Sequence, residues 1–379
     1  MRIVYDGAIF SMQHVGGISR YISALLNQIP EDTQATLLTS RDQIPRWLNL
    51  KRLQAVEASG APWPKMLRAV QRIAERSRVH RWDAAADADL MHWSYYTGLH
   101  RRCVSRHGLR KNVVTVYDLI HERFPETDRK GREVAWKRHA IKQADLILCI
   151  SETTRQDLIS HYPYVADRTI TTLLGNSLEG VVATQITEEL RHRPFVLFVG
   201  GRGGYKNFGV LATAWKKARR HIPELLLAVV GGAMSDAEIA RWGLSNDREG
   251  LRVLKFVDDG QLAALYQASA AFVFPSRYEG FGLPAIEAMS CGALLLTSGG
   301  GSLREVVGDG GIVFDADAVE TLAELLVAAI ETPGSFLSLR EHGRRWASQF
   351  TWNRTAESTF GAYRNLLGLS TSHCEVRAA

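Results

Sequence analysis

No apolar run in the 379-residue chain approaches the roughly 20 residues that a membrane-spanning helix needs. The runs present, such as 146–150 and 270–274, are of strand length. Cysteine is scarce and scattered: Cys103, Cys149, Cys291 and Cys374 have neither CxxC spacing nor histidine partners at zinc distance. They read as reduced thiols of a cytosolic protein, most of them simply packed. The chain enters a strand-like segment at 2–6 with no apolar export segment before it, which points to the cytoplasm. No G-x-G-x-x-G follows the first strand of either half, which argues against a dinucleotide-dependent oxidoreductase. Zinc-finger, RRM and helix-turn-helix patterns are missing too, so nucleic acid is not the expected partner. A net charge of +6 and a pI near 9.2 nevertheless call for something anionic.

What is there is a folded α/β composition, 46% hydrophobic and 23% charged, in a chain too long for one ordinary core. Strand-like and helix-like segments alternate throughout, the pattern of a parallel sheet covered by helices. Strands are expected at 2–6, 35–39, 90–93, 113–117 and 146–150, with helices at 18–28, 132–143 and 152–162. The pattern fades into polar residues at 175–193, the expected linker. A second alternation gives strands at 195–199, 225–230, 252–254, 271–274, 293–297 and 311–314. Its helices fall at 207–220, 261–267, 283–289 and 319–329, and a last helix covers 351–366. The reading is therefore two doubly wound, Rossmann-like domains, 1–180 and 190–350. Such sheets bind ligands at the C-terminal ends of their strands.

The most specific motif is Arg277-Tyr278-Glu279-Gly280-Phe281-Gly282-Leu283-Pro284-Ala285-Ile286-Glu287. It follows an apolar strand and opens a helix with Pro284 in the first turn. Two glycines ahead of a helix N-terminus let backbone N–H groups approach a phosphate, whose charge the helix dipole favours. Glu279 and Glu287 can accept hydrogen bonds from sugar or ribose hydroxyls. The same residues, taken alone, also suit a plain strand–turn–helix with solvated acids.

This segment resembles the paired-glutamate signature of family 4 retaining glycosyltransferases, which have the two-Rossmann GT-B architecture. The resemblance implies two facing domains with an interdomain cleft, and a C-terminal helix (351–368) crossing back to the first. It implies that Glu279 holds hydroxyls of the transferred sugar and that Glu287 binds the ribose. Phe281, Gly282 and Leu283 would line phosphates and sugar through their backbone. Substitution is expected from the front face, the leaving diphosphate taking the acceptor's proton, and not through a covalent glycosyl-glutamate as in two-carboxylate glycosidases.

Three further segments are similar to the same family. Phe198-Val199-Gly200-Gly201-Arg202-Gly203-Gly204-Tyr205-Lys206-Asn207 carries a planar fork and a point charge spaced to clamp a diphosphate without a metal. Val15-Gly16-Gly17-Ile18-Ser19-Arg20-Tyr21 brings Gly16 and Gly17 to the donor phosphates, with Arg20 read as structural. In Thr115-Val116-Tyr117-Asp118-Leu119-Ile120-His121-Glu122, Tyr117 stands where many members have a sugar-contacting histidine. Asp118 and His121 thus become candidates for sugar or acceptor contacts, a satisfied structural role for His121 staying equally open. The loop 255–259 would cup the nucleobase near Val257, while Asp258 or Asp259 caps the next helix. Ser151 reads as a helix N-cap with Thr154 at N3. Asp87-Ala88-Asp89 and Asp315-Ala316-Asp317 read as structural and not as metal sites.

Residues 63–82 form an amphipathic basic stretch, with Arg68, Arg72 and Arg76 on one side and Met66, Val70 and Ile73 on another. It could lie on an anionic bilayer at the inner face of the cytoplasmic membrane, or pack on its own sheet. The activity implied is transfer of a hexose from GDP-mannose or a UDP-hexose to a saccharide or polyprenyl-linked acceptor, without metal or other cofactor. The second domain would bind the donor and the first the acceptor. A sugar-nucleotide epimerase and an idle donor-binding subunit are the rivals. A phosphorylase would need a lysine holding pyridoxal phosphate and a longer chain.

Overall fold

Runs such as Leu-Ile-Leu-Cys and Ala-Phe-Val-Phe are apolar at every position, which suits a strand covered on both faces. In the computed structural model both are fully buried parallel strands. The structure describes residues 1–13, 16–39, 44–45, 48–49, 53, 55–57, 88–96 and 110–369. The basic stretch 63–82, Val15, Asp87, Cys103 and Cys374 lie outside them. Two compact units emerge: Met1–Gly175 with Trp352–Ala379, and Asn176–Thr351.

The first unit holds a seven-stranded parallel sheet in the order β3-β2-β1-β4-β5-β6-β7. Its strands are β1 (Arg2–Tyr5), β2 (Gln34–Leu38), β3 (Ala55–Glu57), β4 (Leu90–Trp93), β5 (Lys111–Val116), β6 (Leu146–Cys149) and β7 (Thr169–Thr171). Its main helices are α1 (Gly17–Asn27), α2 (Arg132–Gln143) and α3 (Glu152–His161). The second unit holds six parallel strands in the order β10-β9-β8-β11-β12-β13. These are β8 (Phe195–Val199), β9 (Leu226–Val230), β10 (Leu251–Leu254), β11 (Ala271–Phe274), β12 (Leu295–Thr297) and β13 (Ile312–Val313). The helices α4 (Phe208–His221), α5 (Asp259–Ala268), α6 (Leu283–Ser290) and α7 (Val319–Glu331) cover it. Phe198, Phe208, Trp215, Leu227, Leu322 and Leu326 are among the residues of its core. Both sheets reverse their strand order once, at β1/β4 and at β8/β11. Loops leaving the C-terminal ends of those strands are where this topology leaves a crevice.

The chain then returns to the first unit as α8 (Trp352–Leu366). Tyr363 Oη and His92 Nδ1 lie 2.6 Å apart, while His92 Nε2 meets Thr115 Oγ1 at 2.9 Å. Full burial holds this histidine down to about 3, so it stays neutral and can bridge two hydroxyls. Thr355 donates to the Leu173 carbonyl at 2.8 Å, and Arg364 pairs with Asp32 at 2.9 Å. Among the described residues no single helix is long and apolar enough to cross a membrane.

Local signals hold at several places. Ser151 accepts from Thr154 N at 3.0 Å, and Asp258 and Gln261 form a reciprocal capping box at the start of α5. Asp317 pairs with Arg277, and Asp89 accepts from Arg2 N at 2.7 Å, so these two acids have structural partners. The strand expected at 293–297 begins only at Leu295, because Ala293 N still donates to Ala288 O as the chain leaves α6. The three-residue strands β3 and β7 are too short to show a period. Residues 188–192, read as linker, form a short helix whose Glu189 pairs with Arg193 and Arg252.

Candidate active site

In the second unit, the exits of β8 and β11 are joined directly. Arg277 N donates to Tyr205 O at 2.7 Å, tying the two glycine-rich loops together. Asn207 adopts the left-handed conformation (φ 55°) and its side-chain amide reaches Ala316 O at 2.7 Å. Asparagine tolerates that conformation, and the turn it makes precedes α4. Lys206, just before it, donates to Glu279 Oε1 at 2.6 Å. Its ammonium also sits 5.1 Å from the Tyr205 ring centroid and 5.6 Å from that of Phe274. Glu279 is 8% exposed and Glu287, inside α6, is 6% exposed.

The glutamate loop is braced from behind by the turn after β12. Ser302 N and Oγ both reach Glu279 O at 3.0 Å, and Oγ also reaches Phe281 O at 3.0 Å. Gly282, at φ 102°, caps α6, and a Cβ there would stand 2.6 Å from the Leu303 side chain. Phe281 turns its ring into the core against Phe350, leaving its backbone for the loop. Leu283 begins α6. Gly301, at φ 62°, would bring a Cβ to 2.4 Å from Glu279 O. Backbone cannot yield as a flexible side chain can, so Gly301→Ala is expected to cost about 2–4 kcal/mol from strain and overpacking. It should also displace Glu279; thermal denaturation and nucleotide binding would read the two effects.

Arg202 is held by partners of its own within the second unit. Its guanidinium forks onto Glu238, with Nε 2.7 Å from Oε1, and donates to Gly232 O at 3.1 Å and Ala233 O at 2.9 Å. The pairing holds the Glu238 carboxyl below its ordinary range. Arg202 therefore anchors the loop after β8 to the loop after β9. In the loop after β10, Val257 is half-buried beside Phe256, which is 95% exposed.

In the first unit, Gly16 caps α1 and Gly17 is its first residue; Gly16 O accepts from Arg20 N at 3.0 Å. Tyr117 is buried and donates its hydroxyl to Ser94 O at 2.7 Å, so it offers no histidine-like polar tip. Asp118 accepts from Ile120 N at 2.9 Å, and its carbonyl receives the Lys137 ammonium at 2.9 Å. His121 Nδ1 lies 2.8 Å from Thr127 Oγ1, whose own proton goes to Phe124 O. His121 thus donates there through Nδ1. Among the described residues no group of three or more His, Cys, Asp and Glu could hold a metal ion.

Two groups escape a sequence reading. Lys137 is 1% exposed and pairs with Glu122 at 2.7 Å. Asp6, at the end of β1, accepts from Ser94 N at 2.7 Å and Ala8 N at 3.4 Å through Oδ1, while its buried Oδ2 has no partner. Burial pushes its carboxyl up to about 6. An acid raised in this way stabilises the fold below its unfolded value near 4, and that stability is lost as pH rises through about 6. The stability difference between wild type and Asp6→Asn should therefore be about 2–3 kcal/mol more favourable to wild type at pH 4 than at pH 7.5. Urea denaturation at both values would measure it; a difference independent of pH would refute the assignment.

The sequence family described as glycosyltransferase family 4 matches residues 15–173, and glycosyl transferases group 1 matches residues 184–346. The O-antigen chain mannosyltransferase B of Escherichia coli is 30% identical over 273 residues, 69% of this chain and 72% of that protein. This chain belongs to the GT-B glycosyltransferases. A serotype-specific mannosyltransferase, WbdA of Escherichia coli, is 28% identical over 277 residues, which are 68% of this chain but 34% of WbdA. The chain thus spans about a third of that longer relative. The fold is also that of Anabaena Alr3699/HepE, solved with UDP and glucose, at a TM-score of 0.72 and 18% identity over 96% of this chain and 100% of that one. As a glycosyltransferase, the protein moves a sugar from a nucleotide-diphosphate donor to an acceptor. In it, Lys206 and Glu279 come together at the order reversal of the second sheet, while Arg202 pairs with Glu238 and His121 meets Thr127.

Proposed function

We propose that this glycosyltransferase is a retaining hexosyltransferase of surface-polysaccharide synthesis. It takes GDP-mannose or a UDP-hexose as donor and a saccharide or polyprenyl-linked acceptor. The observation that carries the reading is the Lys206–Glu279 pair at the exits of β8 and β11, with Glu287 one helix turn on. The likeness to the O-antigen mannosyltransferase supports mannose as the sugar.

In this reading Lys206 supplies positive charge where the diphosphate departs, and Glu279 accepts hydroxyls of the sugar. Gly282 and Leu283 offer backbone to the phosphates, Glu287 takes the ribose, and Val257 lies beside the base. The acceptor oxygen forms the new bond to the anomeric carbon on the face from which the phosphate oxygen leaves. The acceptor's proton passes to that diphosphate. An ion-paired Glu279 is a poor nucleophile, which favours this route over a covalent glycosyl-enzyme.

The test is thermal shift with GDP, UDP, GDP-mannose, UDP-glucose, UDP-N-acetylglucosamine and NAD. A nucleotide at about 100 times its dissociation constant stabilises by roughly 2.7 kcal/mol. A response to one nucleotide class supports the reading, and a response to NAD alone overturns it. Retention is read from the anomeric configuration of the product by NMR. The basic stretch 63–82 is the proposed membrane contact; failure to pellet with anionic vesicles at low salt would remove it.

A further inference from the structure

The strand order of the first sheet reverses between β1 and β4, so its crevice is bounded by Asp6, by Ser94–Tyr95–Tyr96 and, from β5, by Tyr117 and Asp118. What gathers at these strand ends is aromatic and acidic.

Three of the rings are shut in: Tyr21, Tyr96 and Tyr117 are buried. Tyr95 alone among them is half-buried. Its ring lies nearly parallel to that of Tyr117, at 18° and 6.3 Å between centroids, and 5.0 Å from that of Tyr96. Tyr117 is in turn backed edge-on by Tyr21 at 6.1 Å. Tyr95 is therefore a ring held from behind, a pre-organised apolar surface whose immobilisation has little left to cost on binding.

Around that ring stand carboxylate acceptors. Asp118, whose side chain is 27% exposed, uses Oδ1 for Ile120 N. Glu133 Oε2 is buried with no partner, as is Asp6 Oδ2. Burial, together with the carboxylates of Glu133 and Asp118, pushes the Tyr95 hydroxyl up, so it stays protonated and donates to the Glu133 carboxylate. The nearby ammonium of Lys137 is shared among Glu122, the Asp118 carbonyl and, at 4.0 Å, Asp118 Oδ1.

We propose that Tyr95 is the platform on which the acceptor's terminal sugar ring stacks, with Asp118 accepting its hydroxyl protons. A pyranose has an apolar C–H face and a rim of hydroxyl donors, which is the complement of this ring and these carboxylates. A phosphate, which brings acceptors and negative charge, would meet the carboxylates of Asp118 and Asp6 here. The inference rests on the glycosyltransfer reading and adds to it a residue that selects the acceptor.

The experiment is saturation-transfer NMR on the full chain without donor, using methyl α-D-mannopyranoside, the corresponding glucoside and the galactoside as probes. Wild type should transfer saturation to the ring protons of at least one. Tyr95→Leu should weaken that binding about tenfold or more, and Tyr95→Phe should retain it. Asp118→Asn should weaken it too. Equal affinity in wild type and Tyr95→Leu, or no transfer to any of the three glycosides, overturns the proposal. If Tyr95→Leu does not fold, Tyr95→Trp and Asp118→Asn carry the test, and unchanged affinity in both overturns it. Thermal shift with GDP and UDP runs in parallel and does not involve Tyr95. Nucleotide binding without saccharide binding leaves the donor reading standing and removes Tyr95; the converse outcome does the reverse.

Discussion

Lys206→Ala is expected to lower turnover by about two to three orders of magnitude, the typical loss when one pre-organised charge is taken from a developing anion. The geometry predicts a second consequence. Glu279 is nearly buried and Lys206 meets its carboxylate at 2.6 Å. Truncating the lysine leaves that carboxylate without its cation, so about 2–4 kcal/mol of stability should go with the activity. The two effects separate in a double variant. Lys206→Met with Glu279→Gln removes both charges, so most of the stability should return while turnover stays low. Single-turnover rates at saturating donor, read beside urea denaturation, distinguish these outcomes. A Lys206→Ala enzyme within about threefold of the wild-type rate would exclude Lys206 from the departing diphosphate.

The architecture was open to a sequence reading because its determinants are local. Strands such as 146–150 and 271–274 announce themselves by unbroken apolar runs, and the helix caps at Ser151 and Asp258 by residue type. Lys206 and Glu279 could each be singled out from a glycine-rich loop. That they meet, 73 positions apart, follows from β8 and β11 being neighbours in the sheet. Arg202 shows where local reading stops. Its spacing from Lys206 suits a diphosphate clamp; its partner Glu238, 36 residues later, arrives through the pairing of β8 with β9 and no local pattern shows it. Asp6 and Tyr95 carry no motif at all; their setting is created by strands from distant parts of the chain. Lys137 had a usable signal. Ala140 and Ile141 mark the inward stripe of α2, and Lys137 lies three and four residues before them on the same face. A cation on an apolar stripe demands a buried partner, and Glu122 is that partner.

Breaking this last pair should have the largest effect on stability. Lys137 is 1% exposed and the Glu122 side chain 5%, and their contact is 2.7 Å. The ammonium also meets the Asp118 carbonyl at 2.9 Å, Asp118 Oδ1 at 4.0 Å and the face of Tyr96, 5.5 Å from the ring centroid. Lys137→Ala opens a cavity and strands a buried carboxylate, for which about 3–5 kcal/mol is expected. In a unit of this size that is a fall in melting temperature on the order of 10 °C. Lys137→Met keeps the volume and isolates the charge, so it should lose nearly as much as the alanine variant. Adding Glu122→Met should then restore much of the loss, because two apolar side chains of similar size replace an ion pair whose desolvation offsets most of its attraction. The double variant still lacks the donor that holds the Asp118 carbonyl. Stability and saccharide binding should therefore part company: the fold recovers, while affinity for a methyl glycoside stays low. Full recovery of both would mean that Lys137 only fills space, and that the Asp118 loop keeps its geometry without it.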